Sequence, residues 1–191
     1  MRRDWLNLPN VITLLRIAAV PMFLAVLFAE PEKSSPWRWL AVLLFVVAIA
    51  TDGVDGAIAR KRNLVTDLGK LLDPIADKVL LGGALIALSV LDEVHWAFTI
   101  LILVREVGIT VFRFAVLSKR VIPASRGGKL KTIFQFLAIT SALLPLQALW
   151  GEWMNTVNLV LMAIALALTV VTGVMYLVEA WLHNRSSSAS H

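Results

Sequence analysis

An all-α integral membrane fold, with six transmembrane helices and a short N-terminal interfacial helix, is what this sequence predicts. Three observations lead there. Hydrophobic residues make up 59% of the 191-residue chain and its mean hydropathy is +0.80, against roughly 45–50% apolar in soluble domains. Six apolar stretches can be drawn, each near the ~20 residues that cross a ~30 Å hydrocarbon core. Basic residues concentrate in alternate connections and the seven tryptophans lie near the stretch ends, as the positive-inside rule and an aromatic belt require.

Taken in order, residues 2–10 carry Arg2, Arg3 and Trp5 and suit a helix lying in the headgroup layer. The first span covers residues 11–29, with Pro21 inside it and Arg16 as its one charge. It exceeds the ~7–15-residue apolar region of a signal peptide and leads into Glu30-Pro31-Glu32-Lys33 instead of a small-residue cleavage site, so it reads as a span. The second, residues 36–60, is apolar over 40–50 and carries Asp52 and Asp55 in its last turns. The third, 71–91, opens with Asp73 and Asp77. The fourth, 94–116, holds Arg105, Glu106 and Arg113, whereas the fifth (130–150) and sixth (156–182) are almost free of charge. Residues 1–185 read as one membrane domain and the serine-rich residues 186–191 as a disordered tail.

Arg2, Arg3, Arg60, Lys61, Arg62, Lys70, Lys119, Arg120, Arg126, Lys129, Lys131 and Arg185 fall on one side of these spans. Glu30, Glu32, Lys33, Arg38, Asp92, Glu93 and Glu152 fall on the other. That asymmetry places both termini and the aspartates at the cytoplasmic face of the cell (inner) membrane. The formal charge of +5 and pI near 10.0 are explained by these loops, and nucleic acid is not an expected partner. With no cysteine, the chain has neither a disulfide framework nor a thiolate metal site.

The chemistry rests on Asp52-Gly53-Val54-Asp55-Gly56-Ala57-Ile58-Ala59-Arg60 and Gly69-Lys70-Leu71-Leu72-Asp73-Pro74-Ile75-Ala76-Asp77. Asp52 and Asp55 are three residues apart and Asp73 and Asp77 four, so each pair shares a helix face. Gly53, Gly56 and Ala59 let a ligand or neighbouring helix approach the backbone. Residues 61–67 read as a short cytoplasmic connection, so a helix hairpin gathers four carboxylates at the membrane surface. Carboxylates so near hydrocarbon need compensation. Two hard divalent cations, Mg²⁺ or Mn²⁺, would supply it, and a cation pair of that kind suits phosphoryl transfer. Each aspartate taken singly reads as a juxtamembrane charge paired with Arg60, Lys70 or Lys78; the joint spacing, nine positions between Asp52 and Asp77, does not.

That spacing resembles the signature of the CDP-alcohol phosphatidyltransferase family, with every signature position filled. The resemblance implies a six-helix membrane enzyme, usually a homodimer among membrane lipids, that displaces CMP from a CDP-linked lipid by an alcohol. It implies that Asp52, Asp55, Asp73 and Asp77 hold two divalent cations and that Asp77 also takes the proton of the attacking hydroxyl. Gly53, Gly56, Ala59 and Arg60 would shape or contact the CDP site, joined by Asn10 and Thr13.

Outside the signature, Asn7-Leu8-Pro9-Asn10-Val11-Ile12-Thr13-Leu14-Leu15-Arg16, Arg105-Glu106 with Arg113, and Gly128-Lys129-Leu130-Lys131-Thr132 resemble the branch of the family that uses glycerol 3-phosphate as acceptor and CDP-diacylglycerol as donor. Arg105 and Arg113 are eight residues apart and share roughly one helix face. Arg126, Lys129, Lys131 and Thr132 stand where a helix begins, and a helix N-terminus favours an anion. Together they make an expected acceptor-phosphate site. Other readings stand beside it: Arg105 in an intramembrane salt bridge with Glu106, Lys129 and Lys131 anchoring at headgroups, Asn10 and Thr13 capping or bonding backbone. Arg16 is expected to face the cavity, since an unpaired guanidinium in a span is costly. Inositol phosphate, serine or phosphatidylglycerol are alternative acceptors, and intramembrane charge also suits an ion or proton transporter. The crowding of the aspartates at one face favours catalysis.

Overall fold

A computed structural model describes the backbone of residues 8–33, 35–61, 67–117 and 126–188. Within these, the side chains at 8–9, 52–61, 67–68, 70–71, 113–117, 126–127, 180 and 182–188 lie outside the described residues. The described backbone forms helices without strands: α1 (Leu8–Ala29), α2 (Pro36–Lys61), α3 (Asp67–Val90), α4 (Trp96–Leu117), α5 (Arg126–Leu143), α6 (Leu146–Trp150) and α7 (Trp153–Ser188). The expected interfacial helix at residues 2–10 falls mostly outside the described residues.

Local chemistry sets the boundaries. Pro36 opens α2, where its missing N–H is no loss, and Ser35 Oγ caps the helix by accepting from Trp37 N at 3.2 Å. At the end of α3, Asp92 takes φ 56° and the amides of Glu93 and Val94 turn back to Leu88 O at 2.9 and 3.2 Å. Aspartate tolerates that left-handed conformation better than most residues, so α4 starts within a few residues.

The fifth span, expected as one helix over residues 130–150, is divided: α5 ends at Leu143 and α6 begins at Leu146. Pro145 is the cause, because it has no N–H to donate and its ring would press on the carbonyl of Ser141. Gly151, at φ 93°, then closes the turn with its N–H on Gln147 O at 2.9 Å. The last helix, α7, continues to Ser188. Residues 189–191 lie outside the described residues.

α1 packs on α2 and α3, α5 on α7 and α2, and α4 on α7 and α3. Phe45 of α2 lies between Phe23 of α1, 5.6 Å away, and Phe136 of α5, 6.3 Å away. Leu80, Leu85, Leu88, Ile102 and Ile139 complete the core, with buried alanines such as Ala41, Ala84 and Ala138 allowing close helix approach.

Leu15, Val104, Val111, Val174 and many other large apolar side chains point outward. In water so wide an apolar surface is an association hazard; in lipid it is the matched surface. Asn10–Ala29 and Trp153–Glu179 are long and apolar enough to cross a bilayer, and Pro36–Thr51 forms a shorter apolar run. The described fold is all-helical, and its apolar outer surface is consistent with a membrane protein.

One end of the bundle is tied by a buried cation. Arg38, at the start of α2, donates from Nε to Leu143 O at 2.8 Å and from Nη2 to Glu93 in the α3–α4 turn. It thereby joins three elements and satisfies carbonyls at the C-terminus of α5. Trp37, Trp39, Trp96, Trp150 and Trp153 stand exposed at helix ends on this same side. Asp73 and Asp77, early in α3, belong to the opposite end.

Candidate active site

Asp73 and Asp77 sit one turn apart on α3, both half-buried, with Pro74 inside the helix and Ala76 fully buried. Opposite them α1 presents a buried polar stripe of Asn10, Thr13 and Arg16, spaced three residues apart so that they share one face. Thr13 Oγ1 donates to Asp73 Oδ1 at 3.0 Å. A hydroxyl has a single hydrogen, so this bond fixes the carboxylate's orientation while Oδ2 keeps its lone pairs.

Asp52, Gly53, Asp55, Gly56, Ala59 and Arg60 all fall on the helical C-terminal part of α2. Their side chains lie outside the described residues. Among the described residues, which do not include the side chains of Asp52 and Asp55, no group of three or more metal-ligating side chains converges. The described half of the quartet is two carboxylates one turn apart, one of them steered by a hydroxyl. Such hard oxygen donors suit Mg²⁺ or Mn²⁺.

A second polar cluster centres on Glu106 of α4. Lys78 Nζ reaches its Oε2 at 2.9 Å, while Arg105 Nη1 and Lys131 Nζ reach Oε1 at 2.9 and 2.6 Å. Arg105 Nη2 also donates to Thr172 Oγ1 at 2.9 Å, and Gln135 Nε2 to Thr169 Oγ1 at 3.0 Å. The hydroxyls of Thr169 and Thr172 donate in turn to Ala165 O and Leu168 O. Three helices therefore meet at one carboxylate, and α7 joins the network through Arg105 and Gln135. Lys78 follows Asp77 directly, about 1.5 Å further along the α3 axis, so cluster and aspartate share a depth in the bundle.

Of the residues expected to hold an acceptor phosphate, the structure brings Arg105 and Lys131 together on Glu106. Lys129 and Thr132 are exposed on the first turns of α5, where Thr132 Oγ1 donates to Gly128 O at 3.1 Å. The side chains of Arg113 and Arg126 lie outside the described residues. Arg16 is buried, 3% exposed. Sequence reasoning passed over Lys78, Gln135, Thr169 and Thr172 as site residues. The available signal was helical spacing: Gln135 lies one turn beyond Lys131, and the two threonines interrupt the otherwise apolar stretch 159–178 of α7.

A cavity of about 620 Å³ opens at the other end of the bundle, lined in part by Lys33, Glu93, His95 and Asn158. Leu91, which lines it just past the end of α3, is fourteen residues from Asp77, about 21 Å at the helical rise, so the cavity takes no part in the aspartates' chemistry.

A family model described as CDP-alcohol phosphatidyltransferase matches residues 6–171. The chain is 48% identical over 174 residues to a protein of Mycobacterium tuberculosis (strain H37Rv) named "Probable phosphatidylglycerophosphate synthase", covering 91% of this chain and 81% of that one. It is 40% identical over 171 residues to the CDP-diacylglycerol--glycerol-3-phosphate 3-phosphatidyltransferase of Rickettsia typhi, covering 89% and 94% of the two chains. The Bacillus subtilis (strain 168) protein of that same name is 37% identical over 188 residues, with 92% and 95% covered.

Proposed function

The chain belongs to the CDP-alcohol phosphatidyltransferase family, and from that membership we propose that it transfers the phosphatidyl group of CDP-diacylglycerol to glycerol 3-phosphate, giving phosphatidylglycerol phosphate and CMP. Asp52, Asp55, Asp73 and Asp77 would hold two divalent cations, Mg²⁺ or Mn²⁺. When bound, the cations supply charge neutralisation for the pyrophosphate and the departing CMP. The remaining work falls to the chain. Gly53, Gly56 and Ala59 leave room for the cytidine diphosphate beside α2, and Arg60 meets its charge. The acyl chains stay in the bilayer. Lys78, Arg105 and Lys131 receive the acceptor's phosphate and leave its primary hydroxyl toward α3.

Asp77 accepts the hydroxyl proton as that oxygen bonds to the β-phosphorus, the one carrying diacylglycerol. The bond from this phosphorus to the CMP oxygen breaks, and its electron pair leaves with CMP. No covalent enzyme intermediate is needed, because positioning and preorganised charge supply most of the acceleration in phosphoryl transfer. In this reading Thr13 positions Asp73.

The reading also has α1, α2, α3, α4, the α5–α6 pair and α7 crossing the inner membrane as six spans. Both termini and the aspartates face the cytoplasm, and the enzyme works as a homodimer. The observation that supports the chemistry most directly is the Thr13–Asp73 hydrogen bond at 3.0 Å, a carboxylate already oriented beside a second one a turn away.

CMP release from membranes containing the protein tests the proposal. Glycerol 3-phosphate should outpace inositol phosphate, serine and phosphatidylglycerol as acceptor, and chelation of divalent cations should stop release. Faster release with another acceptor would replace the assigned alcohol, and undiminished release in chelator would remove the cations. Thr13→Val, which keeps the shape and deletes the donor, should raise the cation concentration for half-maximal rate about 10- to 100-fold. An unchanged cation titration would reduce Thr13 to a packing residue.

A further inference from the structure

We propose that Glu106 is a positioning residue for the acceptor's phosphate, holding Lys78, Arg105 and Lys131 as one dianion-binding cluster. The inference rests on the acceptor reading given above. Three cations from three helices lie within 2.9 Å of the two oxygens of this one carboxylate. Without it they would repel one another in a medium of low dielectric and swing apart. With it, two positive charges remain in surplus, the charge of a phosphate monoester above its second ionisation. A purely structural ion pair has no use for such a surplus, and the aspartates' charge is committed to the divalent cations.

The donors are also under-used. Each ammonium has three N–H groups, of which Glu106 takes one from Lys78 and one from Lys131. Arg105 Nε is buried and has no hydrogen-bond partner. Gly173 makes room for that guanidinium: a Cβ there would lie 2.9 Å from Arg105 Nε and 3.2 Å from its Cγ. α7 is thus cut away where the arginine needs space. The cluster offers charge, spare donors and an orienting carboxylate at the depth of Asp77, where the acceptor hydroxyl has to react.

The test is steady-state kinetics on purified full-length protein, with glycerol 3-phosphate and CDP-diacylglycerol varied separately. Glu106→Gln should raise the acceptor KM by at least about tenfold, the loss of one charge-assisted contact, with the lipid KM nearly unmoved. Glu106→Asp should recover part of that loss. Gly173→Ala leaves every charge in place but crowds Arg105, and should raise the acceptor KM several-fold. It keeps the proposal testable should Glu106→Gln fail to fold. Equal movement of both KM values, or an unmoved acceptor KM in Gly173→Ala, would overturn the positioning role. Lys131→Ala separates the two layers of argument. A raised acceptor KM there, without one in the Glu106 and Gly173 variants, defeats the positioning role alone, whereas no change in Lys131→Ala defeats the acceptor pocket itself.

Discussion

Asp77→Asn lowers CMP release by at least about a thousandfold, the middle of the range for losing a general base, and Asp73→Asn falls comparably. Asparagine keeps the volume of the side chain and removes its charge and its capacity to take a proton. At Asp77 both losses matter, so raising the divalent cation concentration should not restore the rate. At Asp73 the loss is of a charged cation ligand, while the asparagine Oδ1 can still accept from Thr13, so excess cation should recover part of it. Both residues are half-buried and neither closes the hydrophobic core, so the variants should insert in membranes and unfold thermally much as the parent does. CMP release measured beside thermal unfolding separates chemistry from folding. Full activity in either variant would defeat the cation-pair mechanism.

Arg38→Met destabilises the fold by about 3–5 kcal/mol, the usual consequence of leaving one member of a buried ion pair behind. Arg38 is buried and is the link between the start of α2, the end of α5 and the α3–α4 turn. Its removal leaves the Glu93 carboxylate with the more distant Lys33, 3.8 Å away, and takes the donor from two carbonyls, Leu143 O and Ala142 O. The Glu93 carboxyl is already raised above its ordinary 4.5: burial is the larger cause, and the nearby charges of Arg38 and Lys33 oppose it without cancelling it. A raised folded-state value means that the protonated form favours folding. Its contribution is complete below 4.5 and is lost as pH climbs through the raised folded value. Losing Arg38 removes the opposing charge and deepens that loss. The variant's deficit, followed by thermal unfolding across pH, should therefore be smaller at acid than at neutral pH. Adding Glu93→Gln should restore much of the stability at neutral pH. An Arg38→Met protein as stable as the parent would show that the pair does not hold this end of the bundle.

Neither this pair nor the Glu106 cluster could be read from the chain. Arg38 and Glu93 looked like separate charges of the outer side, since they are 55 residues apart. Lys78 and Lys131 meet Glu106 across 28 and 25 residues. Which cation turns toward which carboxylate depends on helix rotation. Sequence periodicity reports rotation poorly when lipid-facing and core-facing positions are both apolar, as the exposed Val104 and buried Ile102 of α4 illustrate. The division of the fifth span was legible in principle, because Pro145 lacks a donor wherever it stands. The apolar run on either side of it concealed the break.

What the amino-acid order determined unaided was local or additive. Apolar run length made helices, proline and glycine ended them, and fixed spacings of three and four residues put each aspartate pair on one face, all through geometry acting within a single helix. What only the packed bundle decided was which distant groups share a site: Thr13 on Asp73, three cations on Glu106, Arg38 across three elements. Such meetings depend on relative helix rotation and depth. Those are settled by the summed fit of all the interfaces, a quantity no short stretch of sequence contains.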